Sequence, residues 1–230
     1  MEVIKIDEKT YRIEDGFVRF FLLEGTKKAL LIDTGMTTVN AKEIACSITK
    51  LPVELLNTHA DPDHVGGNKG FECFYMNAAE EENFRRNGND YGKIIPVTEN
   101  TDIDLGDRPL KIIDVPGHTP GSIAVLDVNN RVLIGGDSVQ DGDIYMFGKM
   151  RNINNYILSM KHLLEYENEF DTVYPSHGTF PVGKELIGKL ICGAEKIAAG
   201  KAKGTLKDMF GNQVMHCRFD YAGFLCDVKE

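Results

Sequence analysis

The chain has no tryptophan, eight prolines and only five cysteines in 230 residues. The cysteines stand at Cys46, Cys73, Cys192, Cys217 and Cys226, an odd number with no Cys-x-x-Cys. That pattern argues against a disulfide framework and against a thiolate zinc site, so the thiols are expected to be reduced and mostly packed. Cys217 and Cys226 could face each other across a terminal hairpin, but a bridge between them is not expected. Basic residues are also scarce. Lys and Arg total 26 against 35 Asp and Glu, for a formal net charge of -9. With no Lys/Arg-rich block, a nucleic-acid partner is disfavoured. No apolar run approaches bilayer length, and the charged residues after Met1 leave no apolar core of signal-peptide length. The expectation is a cytoplasmic protein that needs neither membrane nor nucleic acid.

What is present suits an enzyme-sized globule. Hydrophobic residues make up 42% and charged residues 27%. These are ordinary globular proportions, and the length suits a single domain over 1–230 with a sizeable core. Strands are expected at 3–6, 11–13, 17–23, 29–32, 53–58, 71–75, 110–115, 122–128, 131–134 and 172–174, with a terminal hairpin over 213–227. Helices are expected over 154–167 and 184–199, a polar-faced one over 78–86, and another through Thr49 capped by Thr37 or Thr38. Residues 87–109 and 138–151 read as irregular. Strand-rich halves followed by helices point to an α/β architecture, two sheets packed face to face with helices outside.

The densest chemistry lies in Asn57-Thr58-His59-Ala60-Asp61-Pro62-Asp63-His64-Val65-Gly66-Gly67-Asn68. His59, Asp61, Asp63 and His64 fall within six positions, after an apolar strand and before a glycine pair. In extended backbone, residues 59, 61 and 63 share a side, and Pro62 biases Asp61 towards that conformation. Imidazole and carboxylate are the donors a hard or borderline divalent cation prefers. The only other content such a loop needs is capping, but further strand ends carry donors too: His118, Asp137 and His177, each beside Gly or Pro. Four of the six histidines therefore sit at strand ends. The other two, His162 and His216, read as surface or structural residues.

Five blocks occur in order: Leu31-Ile32-Asp33-Thr34-Gly35, the 58–67 block, Gly117-His118-Thr119-Pro120-Gly121-Ser122, Gly135-Gly136-Asp137 and Pro175-Ser176-His177-Gly178. Together they resemble the metallo-β-lactamase-fold hydrolase superfamily, and its glyoxalase II-like branch in particular. The resemblance implies a four-layer αβ/βα sandwich with two mixed sheets and a dinuclear metal site. It implies one metal at His59, Asp61 and His118, a second at Asp63, His64 and His177, and Asp137 between them. Asp33 matches a carboxylate that orients ligands, although a turn-forming Asp reads equally well. The implied cofactors are two divalent ions, zinc first, with iron or manganese as alternatives.

Position 61 departs from the family, which usually has histidine there. Two divalent ions, three carboxylates and one hydroxide make the site formally neutral, whereas histidine at 61 would leave one positive charge. That favours harder metals more than usual. Glu at this position belongs to the family's di-iron oxygen-reducing branch, so redox chemistry is an alternative, as is a sensor without turnover. A third arrangement has Asp61 turned away. The implied reaction is hydrolysis of a small ester, thioester or lactone by metal-activated hydroxide, with Asp63 as the catalytic carboxylate. Tyr145 is a candidate substrate contact, beside an apolar wall of Met146 and Phe147. The expected partner is a small-molecule substrate, and the terminal hairpin leaves room for a homodimer.

Overall fold

The computed structural model describes residues 1–99 and 101–228. The chain divides into two compact units, Met1–Ile113 with Val125–Asn130, and Asp114–Ala124 with Arg131 onward.

In the first unit a seven-stranded sheet keeps its strands in chain order. Glu2–Asp7, Thr10–Asp15, Val18–Glu24 and Ala29–Ile32 form an antiparallel meander. From Ala29–Ile32 onward the sheet is parallel, through Val53–Leu56, Cys73–Met76 and Lys93–Pro96. Parallel neighbours need crossovers, and the helices Ala41–Ile48 and Glu81–Arg86 lie in two of these connections. Ala29–Ile32 is buried at all four positions, as expected of a strand covered on both faces. Phe20, Leu22, Leu31, Leu55, Phe74 and Phe84 belong to one core cluster. The parallel register pairs Ile32 with Leu56, so the residues that follow both strands emerge side by side.

In the second unit Val132–Gly136 and Thr172–Pro175 run parallel, with Val182–Gly183 antiparallel to the latter. A four-stranded sheet has the order Asp143–Met146, Gly223–Asp227, Asn212–Arg218, Thr205–Met209. The helices Ile153–Leu163 and Leu186–Ala198 pack against each other. Tyr156 and Phe224 are fully buried, with ring centroids 5.9 Å apart.

Several local expectations are revised. The stretch 87–109 contains two short strands, Lys93–Pro96 and Asp102–Asp104, and 138–151 contains Asp143–Met146. These strands owe their existence to partners elsewhere, for example Gly223–Asp227 alongside Asp143–Met146. The terminal hairpin gains a third strand, Thr205–Met209. The first helix is capped by Asn40, whose side chain accepts from Glu43 N, and not by Thr37 or Thr38. None of the five cysteines forms a disulfide, and Cys46, Cys73 and Cys192 are exposed, which corrects the expectation of mostly packed thiols. Cys217 and Cys226 are buried but pair across the strands with Phe224 and Met215, not with each other. Among the described residues no helix is long and apolar enough to cross a membrane.

Candidate functional site

In the first unit two of the candidate ligands, His59 and His64, hang from one buried carboxylate. Asp33 follows the strand Ala29–Ile32 with a positive φ of 67°. Its own N–H donates to Leu56 O at 2.8 Å, which ties the two strand ends together. Oδ1 accepts the Thr58 N–H at 2.8 Å, and Oδ2 accepts the Thr58 hydroxyl at 2.7 Å. Oδ2 also receives His64 Nδ1 at 2.8 Å. A carboxylate only accepts, so His64 carries its proton on Nδ1 and presents Nε2 as the donor atom. The same reasoning reaches His59. The Thr58 hydroxyl spends its hydrogen on Asp33, so its oxygen accepts from His59 Nδ1 at 3.0 Å. His59 Nε2 is then also a lone-pair donor. One aspartate thus sets the tautomer of two imidazoles, whose ring centroids lie 3.9 Å apart. The orienting role of Asp33, level with a turn role from sequence, is the one the geometry supports, and the left-handed backbone serves it.

The expected extended alternation stops at Asp61. Asp61 is extended, at φ -67° and ψ 149°, but a helical turn, Pro62–Val65, begins directly after it. Pro at the first helical position explains both features, since it restricts the preceding residue and fits the first turn. Asp61 Oδ2 lies 3.6 Å from His59 Nε2, so Asp61 does not turn away from that histidine. Asp63 Oδ2 lies 3.8 Å from His64 Nε2.

A buried polar network fixes this loop from behind. Thr34 Oγ1 and Asn57 Nδ2 donate to His64 O at 3.2 and 2.9 Å. Asn68 Nδ2 donates to Asn57 Oδ1 at 2.7 Å. Gly66 admits a close approach, because a Cβ there would stand 2.5 Å from Met36 O. Beneath the 35–38 turn, Asp15 accepts the N–H groups of Met36, Thr37 and Thr38 at 2.8, 2.7 and 3.1 Å, and the hydroxyls of both threonines. That long-range claim on Thr37 and Thr38 is why neither caps the following helix. Burial alone would raise the Asp15 pKa, but hydrogen bonds from Thr37, Thr38 and Met36 hold it below the usual 3.8. The unfolded chain therefore binds this proton more readily, and the stabilisation is present above the ordinary value and lost as pH falls through the lower folded one. We expect the denaturation midpoints of wild type and Asp15→Asn, with chelator present, to differ near neutrality and to converge as pH is taken below 3.8. A constant gap across that range would contradict the assignment.

In the second unit His118, Asp137 and His177 converge in the same manner. His118 Nδ1 donates to Tyr145 O at 3.0 Å, which leaves Nε2 as its donor atom, 3.5 Å from Asp137 Oδ2. His177 Nε2 is 3.2 Å from the other oxygen, Asp137 Oδ1. One carboxylate thus stands between two imidazoles, one facing each oxygen. The turn bearing His118 is braced by the helix Ile153–Leu163 and its cap. Asn152 N donates to Gly117 O at 2.8 Å, and Ser159 Oγ to Pro116 O at 2.6 Å. Thr119 and Ser122 close the turn through their hydroxyls, 2.6 Å apart. Tyr156 OH donates to Ser138 O at 2.8 Å, directly after Asp137, and full burial pushes this phenol well above its usual 10.0. Tyr145 thus enters through its backbone, while its ring lies 5.6 Å from Phe147 and 6.5 Å from Phe210. Met146 is buried, at 5% exposure. His216 pairs with Asp143 at 3.0 Å and His162 with Glu165 at 3.1 Å, structural roles in both cases.

Several contributors escaped the sequence reading: Thr34, Asn57 and Asn68 behind the loop, and Glu80 and Asn83 beside it. Their only signal was polarity inside otherwise buried or helical segments, which capping and solvent exposure explain as readily.

The donor chemistry fits divalent cations. Three imidazoles have Nδ1 committed and Nε2 available in orientation, and each set includes carboxylate oxygen. The residues group as candidate metal ligands. A family model described as the metallo-beta-lactamase superfamily matches residues 13–177. The acyl-coenzyme A thioesterase MBLAC2 of Gallus gallus is 25% identical over 212 residues, covering 75% of this chain and 76% of that protein. A hydroxyacylglutathione hydrolase of Francisella tularensis is 28% identical over 160 residues, covering 68% of this chain and 61% of its own length. Among solved structures, a metallo-beta-lactamase from Pontibacter korlensis aligns with a TM-score of 0.71 at 21% identity, covering 84% of this chain and 98% of its own. The mono-zinc form of FIM-1 from Pseudomonas aeruginosa aligns at 0.68 with 18% identity, covering 86% and 96%. These structural likenesses establish an α/β sandwich of mixed sheets and helices.

Proposed function

Because the chain belongs to the metallo-beta-lactamase superfamily, we propose that its two converging ligand sets hold two divalent metal ions and hydrolyse an acyl thioester. His59, Asp61 and His118 are assigned to one ion, Asp63, His64 and His177 to the other, and Asp137 to both. These assignments draw on the candidate ligand groups. The single observation that carries the reading is the shared treatment of His59, His64 and His118. Each has its Nδ1 hydrogen taken by a fixed acceptor, and a metal-binding imidazole needs that arrangement. The family model runs through both compact units, which supports one catalytic domain over 1–230.

Bound divalent ions would supply Lewis acidity and a water acidic enough to ionise near neutral pH. The protein's own groups do the rest. Asp33 and Tyr145 O hold the imidazole tautomers. Asp137 spans His118 and His177 with separate oxygens and so keeps the two halves of its set at fixed spacing. Asp63, whose side chain keeps 19% of its exposure, is assigned to orient the attacking water and to take and release its proton. In the same loop His59 is 1% exposed and His64 0%, so proton exchange with solvent there is assigned to the carboxylate and not to these imidazoles. Zinc is the proposed metal, with iron or manganese as the alternatives that a third carboxylate favours.

The thioester is carried over from the relatives, which are named for acyl-coenzyme A and for hydroxyacylglutathione. The test combines elemental analysis of protein purified without added metal with turnover of acyl-coenzyme A, acylglutathione, lactone and phosphodiester substrates. Two ions per chain, thioester turnover lost on chelation, and no turnover in Asp137→Ala or His118→Ala are the expected results. Full metal loading without turnover of any substrate would point to the sensor alternative and sink the enzymatic reading.

A further inference from the structure

The element that follows the ligand loop presents three side chains to it from one helical face. The short 3-10 turn Ala78–Glu80 runs directly into the helix Glu81–Arg86. Phe84, fully buried, anchors it, with ring centroids 5.3 Å from Phe74 and 5.7 Å from Tyr91. Glu80, Asn83 and Asn87 are spaced three and then four residues apart, so they line the same side. All three reach the dipeptide Ala60-Asp61. Glu80 Oε2 accepts the Ala60 N–H at 2.8 Å. Asn87 Nδ2 donates to Ala60 O at 3.2 Å. Asn83 Nδ2 donates to Asp61 Oδ1 at 3.0 Å. Glu80 is 0% exposed and Asn83 6%.

We infer that Asn83 is the positioning residue that makes Asp61 a metal ligand, and that the Glu80–Asn83–Asn87 face is a clamp on position 61. The inference rests on the dinuclear reading above. Its physical basis is the difference between the two residue types that can stand at 61. An imidazole ligand has one lone-pair nitrogen and one N–H, so its outer partner must accept. A carboxylate ligand has a second oxygen that only accepts, so its outer partner must donate. Asn83 supplies a donor to Oδ1, and Oδ2 is then aimed at His59 Nε2, 3.6 Å away. The amide orientation follows from its other contact, where Asn83 Oδ1 receives Asn87 Nδ2 at 3.5 Å. Without the amide donor the carboxylate loses the contact that fixes Oδ1, and with it the geometry that ligation needs. Glu80 and Asn87 hold the backbone on either side of Ala60, so the clamp governs both the position and the rotation of Asp61.

The test is zinc binding to the full chain, measured by competition with a chromophoric chelator, alongside thermal unfolding in excess chelator. Wild type should hold two ions. Asn83→Leu should weaken one of them by about 10- to 100-fold, the range for loss of an outer partner. It should be the same ion that Asp61→Ala weakens, while the chelated unfolding temperature barely moves. Asn83→Asp keeps the oxygen that Asn87 binds and replaces the donor with a second, negatively charged acceptor, so it should repeat the weakening even if the leucine variant folds poorly. In an Asp61→Ala background, Asn83→Leu should change zinc affinity no further. Wild-type affinity at both ions in Asn83→Leu and Asn83→Asp would overturn the inference and leave the dinuclear reading standing. An additive loss in the Asp61→Ala background would likewise overturn it, since Asn83 would then act by another route. A wild-type chain that holds no zinc would remove the reading and the inference together.

Discussion

Replacing Asp33 by alanine should reduce zinc affinity by about 10- to 100-fold at each of the two histidines it orients, and thioester turnover with it. The size follows from what hangs on the side chain. Two of its acceptor bonds hold Thr58, and a third fixes His64. Thr58 in turn relays the carboxylate's influence to His59. Removing Asp33 takes an acceptor from three buried donors, at about 1–3 kcal/mol for each one left unsatisfied. The backbone adds about 1–2 kcal/mol, because alanine does not adopt the left-handed region readily, and residue 33 sits at φ 67°. Asparagine separates these contributions. It tolerates that backbone and keeps one acceptor oxygen, so Asp33→Asn should retain the fold and lose much of the zinc affinity. Zinc competition and urea unfolding on the three proteins should rank wild type above Asp33→Asn above Asp33→Ala in both measures. Wild-type zinc affinity in Asp33→Ala would remove the orienting role and leave Asp33 as a turn residue.

The legible part of this molecule was the part written as chemistry at strand ends. His59, Asp61, Asp63 and His64 are recognisable because four donors in six positions have few other uses, and Asp33 because it ends a buried apolar run. The structure sets Asp61 beside His59 and Asp63 beside His64 in the first unit, and Asp137 beside His118 and His177 in the second. What stayed hidden depends on partners distant in sequence. Thr37 and Thr38 look like helix caps until Asp15, more than twenty residues earlier, is seen to take their hydroxyls. Asp143–Met146 has too few residues between glycines to announce a strand, and it becomes one by pairing with Gly223–Asp227. Glu80, Asn83 and Asn87 form a polar stripe that a solvent-facing helix would also show. Only their hydrogen bonds to Ala60 and Asp61 separate the two cases. Asp63 departs from the extended alternation expected of it. It reaches His64 on a helical turn.

Gly117→Ala should cost both stability and turnover. Gly117 precedes His118 and has φ +144°, where side chains are rarely accommodated. A Cβ there would lie 2.4 Å from both the N and the Cα of Tyr156. These are backbone atoms inside the helix Ile153–Leu163, so no rotamer change relieves the clash. Either the helix retreats or the 115–122 turn does. The helix is pinned by Tyr156, fully buried and hydrogen-bonded to Ser138 O, and by Ser159 on Pro116 O. The turn is pinned by Thr119 and Ser122. The conflict therefore falls on His118, whose Nδ1 bond to Tyr145 O must stretch or break. We expect a loss of about 3–5 kcal/mol in unfolding free energy, the range of severe core disruption. Turnover should fall about 100-fold, as for a ligand displaced by roughly 1 Å. Gly200→Ala is the matched control. Gly200 has φ +67° and nothing within 4 Å of an added Cβ, so it meets backbone strain alone. That variant should lose about 1–2 kcal/mol and keep its turnover. If Gly117→Ala loses no more stability than Gly200→Ala and turns over as wild type does, then the helix does not hold His118 in place, and the bracing of this ligand must come from the 115–122 turn itself.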